Sequence, residues 1–466
     1  MAGPLQGLAV VLPCTTAVMG SAILAPNIPH MIAAFSHIPG IEFWVPALVT
    51  LPALCIALFS TLAGSIADAL GRRRIMIWAM VIYGLVGMLP LVIRDFWLIL
   101  GSRVVVGMME AVILCSSTTL IGDYFEGARR DHWLAMQSTT ASGSSIIMFP
   151  LGGYVGQFGW QYPFAMYGFS LVLVVLLVAA TWEPKESTRI KAAGFPWVSG
   201  LAITAAAAVF TWGVTRVAGW LTPLVIYGLC LLGMLAFGFV SARRGVPKDS
   251  AGASAADSLA RLSWAGFPWM TFTGICFISA IASVMFYLLQ ILMANVLHET
   301  GVTNSFDTGI IIAAVSLGIP IGTLVFARIS RTPISILLLL VFGTMAVGFW
   351  GMAAAPNLKW LMVASFVNQF GCGLALPTTL TWSMRQFTFA QRGRGIGIFQ
   401  SFFNGGQFVG PTFVTWLAAQ LTAGAIKPTY FYVSWVAGIM ALGALIAIML
   451  RIGVQPSGSP KTEVES

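Results

Sequence analysis

GSIADALGRRRI (residues 64–75) separates two apolar runs, FWVPALVTLPALCIALFSTLA (43–63) and IMIWAMVIYGLVGMLPLVI (75–93). Each run is about 20 residues long, the length that crosses a bilayer core as a helix. The segment between them holds two glycines suited to a tight turn, one acid and three consecutive arginines. A loop of this kind belongs at a membrane surface, and its arginines mark the cytoplasmic side. In lipid the flanking runs must be helical, because only a helix satisfies its own backbone polar groups.

The same pattern recurs outward in both directions. Spans are expected near 5–35, 44–67, 75–93, 97–121, 133–157, 164–182, 195–214 and 221–241. Six more follow near 267–297, 308–327, 333–354, 359–384, 395–421 and 430–450, making fourteen in all. Only 8% of the residues are charged and 58% are hydrophobic, with a mean hydropathy of +0.89. A soluble chain of this size needs far more charge to cover its surface, so the sequence reads as an all-α polytopic membrane protein.

With the amino terminus inside, Arg72, Arg73, Arg74, Arg129, Arg130, Lys185 and the later loop arginines up to Arg451 fall on the cytoplasmic side. Only Arg94, Arg216, Lys359 and Lys427 fall outside, and Arg103 lies within a span. This bias fixes an orientation with both termini cytoplasmic, as in a bacterial inner membrane. The formal charge of +9 is spread over many short loops, which argues against nucleic acid as a partner. The six cysteines lie singly inside apolar runs, without metal-ligand spacing, and read as packing residues. The first run begins near Leu5 without a basic leader, so no cleavable signal peptide is expected.

The chain repeats itself. RRDHWLAMQS (129–138) after the fourth span matches RGRGIGIFQS (392–401) after the twelfth, an offset of 263. GSIADALGRRRI (64–75) has a degraded counterpart in GTLVFARISRTP (322–333), offset by about 258. Two landmarks with nearly one offset predict two six-helix bundles, residues 1–182 and 267–451. Between them, 183–266 supplies a linker with two additional helices, and 452–466 forms a cytoplasmic tail. Repeats of this type place a substrate between the halves near mid-membrane.

These motifs resemble those of the major facilitator superfamily. Gly64, Asp68, Gly71, Arg72, Arg73 and Arg74 match its loop signature G-x-x-x-D-x-x-G-R-[RK]-[RK], between the second and third spans. Arg103 and Gly107 match its fourth-helix pattern R-x-x-x-G. FPLGGYVGQFGWQYPF (149–164) resembles the fifth-helix antiporter pattern through Pro150, Gly152, Gly153, Trp160, Gln161 and Phe164, with Phe149 and Tyr154 replacing glycines. Residues 219–247 are similar to the extra-helix segment of the fourteen-helix drug:proton antiporter branch. The resemblance implies the major facilitator fold, and a latch in which Asp68 and its arginines close the cytoplasmic side against the span at 395–421.

Glu110 is the one acid near the centre of any span. An intramembrane carboxylate is costly and marks a functional site by default. A proton-coupled carrier requires such a group, neutral in one state and charged or paired in another. The alternative is a structural glutamate bonded to a neighbouring helix. Arg103 lies seven residues earlier on roughly the same face, but about 10 Å of rise separates the two, so an intervening polar group is expected. The resembling antiporters carry an acid in their first helix; here VVLPCTTAVMGSAILAPNIPHM (10–31) has none, and His30 reads as interfacial.

Substrate-facing candidates are Asn27 and Gln137 in the first half, and Tyr287, Gln290, Asn368, Gln369, Gln400, Asn404 and Gln407 in the second. Buried amides need partners, which a ligand cavity or a neighbouring helix supplies. Gln400, Asn404 and Gln407 share one helical stripe. The expected function is a proton-coupled exporter of small amphipathic compounds, acting as a monomer on a small-molecule substrate and protons, without a cofactor. The alternatives are an uptake carrier for an organic or aromatic acid, and a non-transporting receptor or scaffold. Neither a metal cluster nor a phosphate-binding loop nor a Ser/His/Asp arrangement in register is present in the sequence, so an enzyme is not expected.

Overall fold

A computed structural model describes residues 3–183, 268–386 and 392–450. The two additional helices expected at 195–214 and 221–241, the linker into the second half and the tail from 452 lie outside the described residues. Within these residues every element is helical.

Six helices form the first set: α1 (Pro4–Ala34), α2 (Ile41–Leu70), α3 (Arg72–Leu91), α4 (Phe96–Tyr124), α5 (Gly127–Gly156) and α6 (Tyr162–Ala180). Six form the second: α7 (Trp269–Glu299), α8 (Ser305–Ile329), α9 (Ile334–Ala354), α10 (Leu358–Met384), α11 (Arg392–Leu421) and α12 (Ile426–Met449). Ten of these are long and apolar enough to cross a membrane, while α5 and α11 are as long but carry more polar residues. The chain is therefore an integral, multi-pass membrane protein.

Local sequence explains the breaks. Pro13 and Pro26 open the 3-10 turns Leu12–Cys14 and Ala25–Asn27, which divide α1 and isolate a middle segment, Thr15–Ala22. Proline lacks the N–H that a continuous helix would use. Between α2 and α3, Gly71 adopts φ 97° while its N–H bonds Ala67 O at 3.1 Å, ending one helix and starting the next. A side chain at that φ is strained, which is why this loop carries glycine.

The packing follows the repeat seen in the sequence. In the first set α2 and α3 both pack on α4, α3 on α6 and α1 on α5; in the second α8 and α9 pack on α10, α9 on α12 and α7 on α11. Adding six to each number converts one pattern into the other. The two major contacts between the sets, α5 with α8 and α2 with α11, are also exchanged by that operation. Even the caps correspond: Asp95 accepts from Leu98 N at 2.9 Å before α4, and Asn357 from Trp360 N at 3.0 Å before α10.

The α2–α11 contact is apolar, with Ala47, Leu54, Phe408 and Val409 at its centre and Ser401 Oγ donating to Ala57 O at 2.9 Å. The α5–α8 contact lies at the face opposite the amino terminus and is partly polar. There Gln157 Nε2 donates to Asn304 Oδ1 at 2.6 Å, and His30 Nδ1 lies 2.9 Å from Ser305 Oγ.

Candidate functional site

Arg103 and Glu110 both point into the first set rather than toward lipid, and their exposures are 0% and 1%. The guanidinium is held by the ends of two neighbouring helices. Its Nη2 donates to Gly87 O on α3 and to Ser102 Oγ, each at 3.1 Å. Its Cζ lies 5.1 Å from the Phe164 ring centre and 5.0 Å from that of Tyr167, both on α6. Each such cation–π contact contributes about 0.5–2 kcal/mol. Nη1 has no hydrogen-bond partner. Arginine stays charged, so this buried cation requires a counter-charge within the site.

Glu110, the buried acid on the same helix, interacts electrostatically with Arg103. The two do not form a direct ion pair, as their spacing on the helix predicts. Tyr167 occupies the gap. Its hydroxyl donates to Gly20 O on α1 at 3.3 Å, and its ring stacks on Phe164. A Cβ placed on Gly20 would lie 3.4 Å from Tyr167 Oη and 4.0 Å from Glu110 Oε1. The carboxyl therefore abuts the middle segment of α1, and its Oε1 has no hydrogen-bond partner. Tyr83 on α3 completes the cluster: its hydroxyl donates to Thr16 O at 2.9 Å, and its ring lies 5.2 Å from that of Tyr167. Tyr287 on α7 feels the Glu110 charge from the second set.

The sequence did not single out Tyr83 or Tyr167. The signal was available in principle, since a phenol in the middle of an apolar span needs a partner for its hydroxyl. It does not say which phenol meets which acid.

The polar candidates separate by their partners. Asn27 is fully buried, and its amide donates to Ile23 O at 3.2 Å and Gly152 O at 3.0 Å, joining α1 to α5. Gly152 and Gly153 serve the same packing: side chains there would overlap Ile23 O and Ser305 O respectively. Pro150 sits inside α5 one turn earlier. Gln137 ties α5 to α1 and α4, donating to Cys14 Sγ at 3.0 Å and to Ser117 and Thr118 hydroxyls at 3.1 Å each. Asn368 donates to Met345 O at 3.4 Å across to α9.

Gln369 differs. It is fully buried on α10, and neither its Oε1 nor its Nε2 has a hydrogen-bond partner. On α7, Gln290 is buried, and Tyr287 is half-buried with its ring 6.0 Å from that of Phe403 on α11. Along α11, Gln400 is exposed, Asn404 half-buried and Gln407 buried, so the stripe runs from open to covered; Asn404 Nδ2 donates to Gln400 O at 2.9 Å.

In the signature loop, the side chains of Asp68 and Arg394 lie outside the described residues. The arginines bind within the first set. Arg72 Nη1 pairs with Asp123 Oδ1 at the end of α4 at 2.5 Å, and Arg73 reaches Val178 O at 3.0 Å in the last turn of α6 and Thr181 Oγ1 at 3.1 Å just beyond it. The Glu183 carboxylate accepts from the backbone of Arg74 at 3.0 Å, where it meets the positive end of α3. Asp123 and Glu183 were not among the residues expected from the sequence.

The two six-helix sets, packed in the same pattern, make a helical membrane fold with a buried acid and arginine in its first half. The family model of the Major Facilitator Superfamily matches residues 14–274 and 271–466, and the chain belongs to that superfamily. Among curated proteins, it is 26% identical over 146 residues to the tetracycline resistance protein, class E, of Escherichia coli, covering 31% of this chain and 36% of that protein. It is 23% identical over 191 residues to the quinolone resistance protein NorA of Staphylococcus aureus (strain MSSA476), covering 41% and 46%. The matched stretch thus spans less than half the length of either relative. Among solved structures, a peptide transporter POT in complex with sulfate superposes with a TM-score of 0.70 at 14% identity, covering 97% of this chain and 95% of that one. That likeness is one of fold.

Proposed function

We propose that this protein is a proton-coupled exporter of small amphipathic compounds working by alternating access. The observation that carries the reading is the buried carboxyl of Glu110, with an unpartnered oxygen, in electrostatic contact with Arg103 and against the middle of α1. An unpaired carboxylate out of water costs several kcal/mol, so a membrane protein keeps one where its protonation does work. The drug-resistance relatives support export as the direction.

In this reading residues 1–182 and 267–451 are two bundles that rock about a central pocket, 183–266 joins them, and both termini are cytoplasmic. Gly64, Asp68, Gly71, Arg72, Arg73 and Arg74 form the cytoplasmic latch. Gln369, Gln290, Tyr287 and the Gln400–Asn404–Gln407 stripe contact substrate from the second bundle. Gln369 supports this part best, because a buried amide with nothing to bond costs about 1–3 kcal/mol. Asn27 acts as a helix tie instead.

The test is transport of a fluorescent amphipathic dye into inverted and right-side-out vesicles under an imposed pH gradient. Export coupled to protons gives accumulation in inverted vesicles that are acid inside. Accumulation only in right-side-out vesicles would identify an uptake carrier, and none in either would leave a receptor or scaffold.

A further inference from the structure

Two tyrosine hydroxyls hold the middle segment of α1 from behind, one firmly and one loosely. Tyr83 bonds Thr16 O at 2.9 Å, whereas Tyr167 bonds Gly20 O at 3.3 Å, long for a hydroxyl donor. Thr15–Ala22, which carries both ties, is a short helix set off by the proline-bearing turns on either side. Beside the loose tie lies the unpartnered Oε1 of Glu110: a Cβ added to Gly20 would lie 3.4 Å from the Tyr167 hydroxyl and 4.0 Å from that oxygen. Arg103 lies over the Tyr167 ring face and also engages its hydroxyl, so the ring has a hold besides the tie to Gly20.

We propose that Tyr167 is a positioning residue that transmits the protonation state of Glu110 to α1. With Glu110 neutral, the hydroxyl holds Gly20 O; with Glu110 charged, it turns to Oε1 and releases Thr15–Ala22. A hydrogen bond to a carboxylate is about twice as strong as one to a neutral carbonyl, so it displaces the long bond to Gly20. The phenol keeps its proton throughout, and only Glu110 gains or loses one. The ionisable groups facing Glu110 are Arg103 on its own helix, Cys55 on α2, Tyr83 on α3, Tyr167 on α6 and Tyr287 on α7; the Thr15–Ala22 segment contributes none. The inference rests on Glu110 carrying the proton and adds the residue through which the fold senses it.

The experiment is hydrogen–deuterium exchange of Thr15–Ala22 in the full chain in lipid nanodiscs, at one alkaline pH, for wild type, Glu110→Gln, Tyr167→Phe and the double variant. Glu110→Gln, which fixes the neutral form, is expected to slow exchange in that segment about tenfold, the scale of one hydrogen bond. Tyr167→Phe keeps the ring over Arg103 and removes the tie, so in that background Glu110→Gln has no further effect. Tyr83→Phe leaves the Glu110→Gln effect intact, which a general loosening of the bundle would not. An equal Glu110→Gln effect with and without the Tyr167 hydroxyl overturns the proposal, and so does its loss in Tyr83→Phe. The infrared carboxyl band that disappears in Glu110→Gln reports the underlying reading separately. A band that never titrates removes proton carriage and this inference together; one that titrates while the Glu110→Gln effect survives Tyr167→Phe removes the Tyr167 role alone.

Discussion

Gln157 at the end of α5 donates a 2.6 Å hydrogen bond to Asn304, which at the same time caps the first turn of α8 by accepting from Phe306 N at 2.8 Å. The bond joins the two six-helix sets at the face opposite the amino terminus. The proposed alternating access requires it to break in every cycle. A Gln157→Cys, Asn304→Cys pair in a chain stripped of its other cysteines should cross-link on oxidation and stop transport, with recovery on reduction. Transport that continues through the cross-linked state would show that this face does not open.

Gly153 controls the same contact through its size, because any side chain there overlaps Ser305 O. Gly153→Val should hold α5 and α8 apart, lowering the cross-linking rate of the 157–304 pair at least about tenfold, the effect of about 1.4 kcal/mol on the closed state. Gly20→Ala meets only ordinary contacts and should leave that rate unchanged.

Gln369 separates stability from function. Gln369→Leu removes two unbonded buried amide atoms and should leave the melting temperature equal or raised, since replacing an unsatisfied polar group by an apolar one of similar shape is neutral or stabilising. Transport should fall at the same time. A drop in melting temperature would instead assign Gln369 a structural partner.

Arg72 and Asp123 form a half-buried pair at the end of α4, and exposed pairs are worth about 0–1 kcal/mol. Asp123→Asn should therefore lower thermal stability only slightly, by about 1 kcal/mol. If the loop is a latch, the larger effect is on accessibility: Asp68→Asn should raise thiol labelling at the amino-terminal face. Unaltered labelling would count against the latch.

Much of the architecture was legible in the chain. The repeat at 129–138 and 392–401 anticipated that α5 and α11 are equivalent, and GRRR marked a helix boundary because only glycine fits the backbone at position 71. The buried position of Glu110 followed from its place in an apolar run. What the residues could not tell was pairing across helices. Asn27 and Asn368 look alike to Gln369 in sequence, yet the first two spend their amides on neighbouring carbonyls and the third does not. Tyr83 and Tyr167 lie outside the motif residues of their helices, and only tertiary packing brings their hydroxyls to α1. Nor did the loop itself say that an acid some 50 residues on, Asp123, pairs with Arg72.

The central claim is that protonation of Glu110 couples the gradient to substrate movement. It is tested most directly by dye accumulation in inverted, acid-inside vesicles carrying wild type or Glu110→Gln at matched, folded amounts. The account predicts that the variant loses gradient-driven accumulation and still equilibrates dye without a gradient. Undiminished accumulation by Glu110→Gln would contradict it.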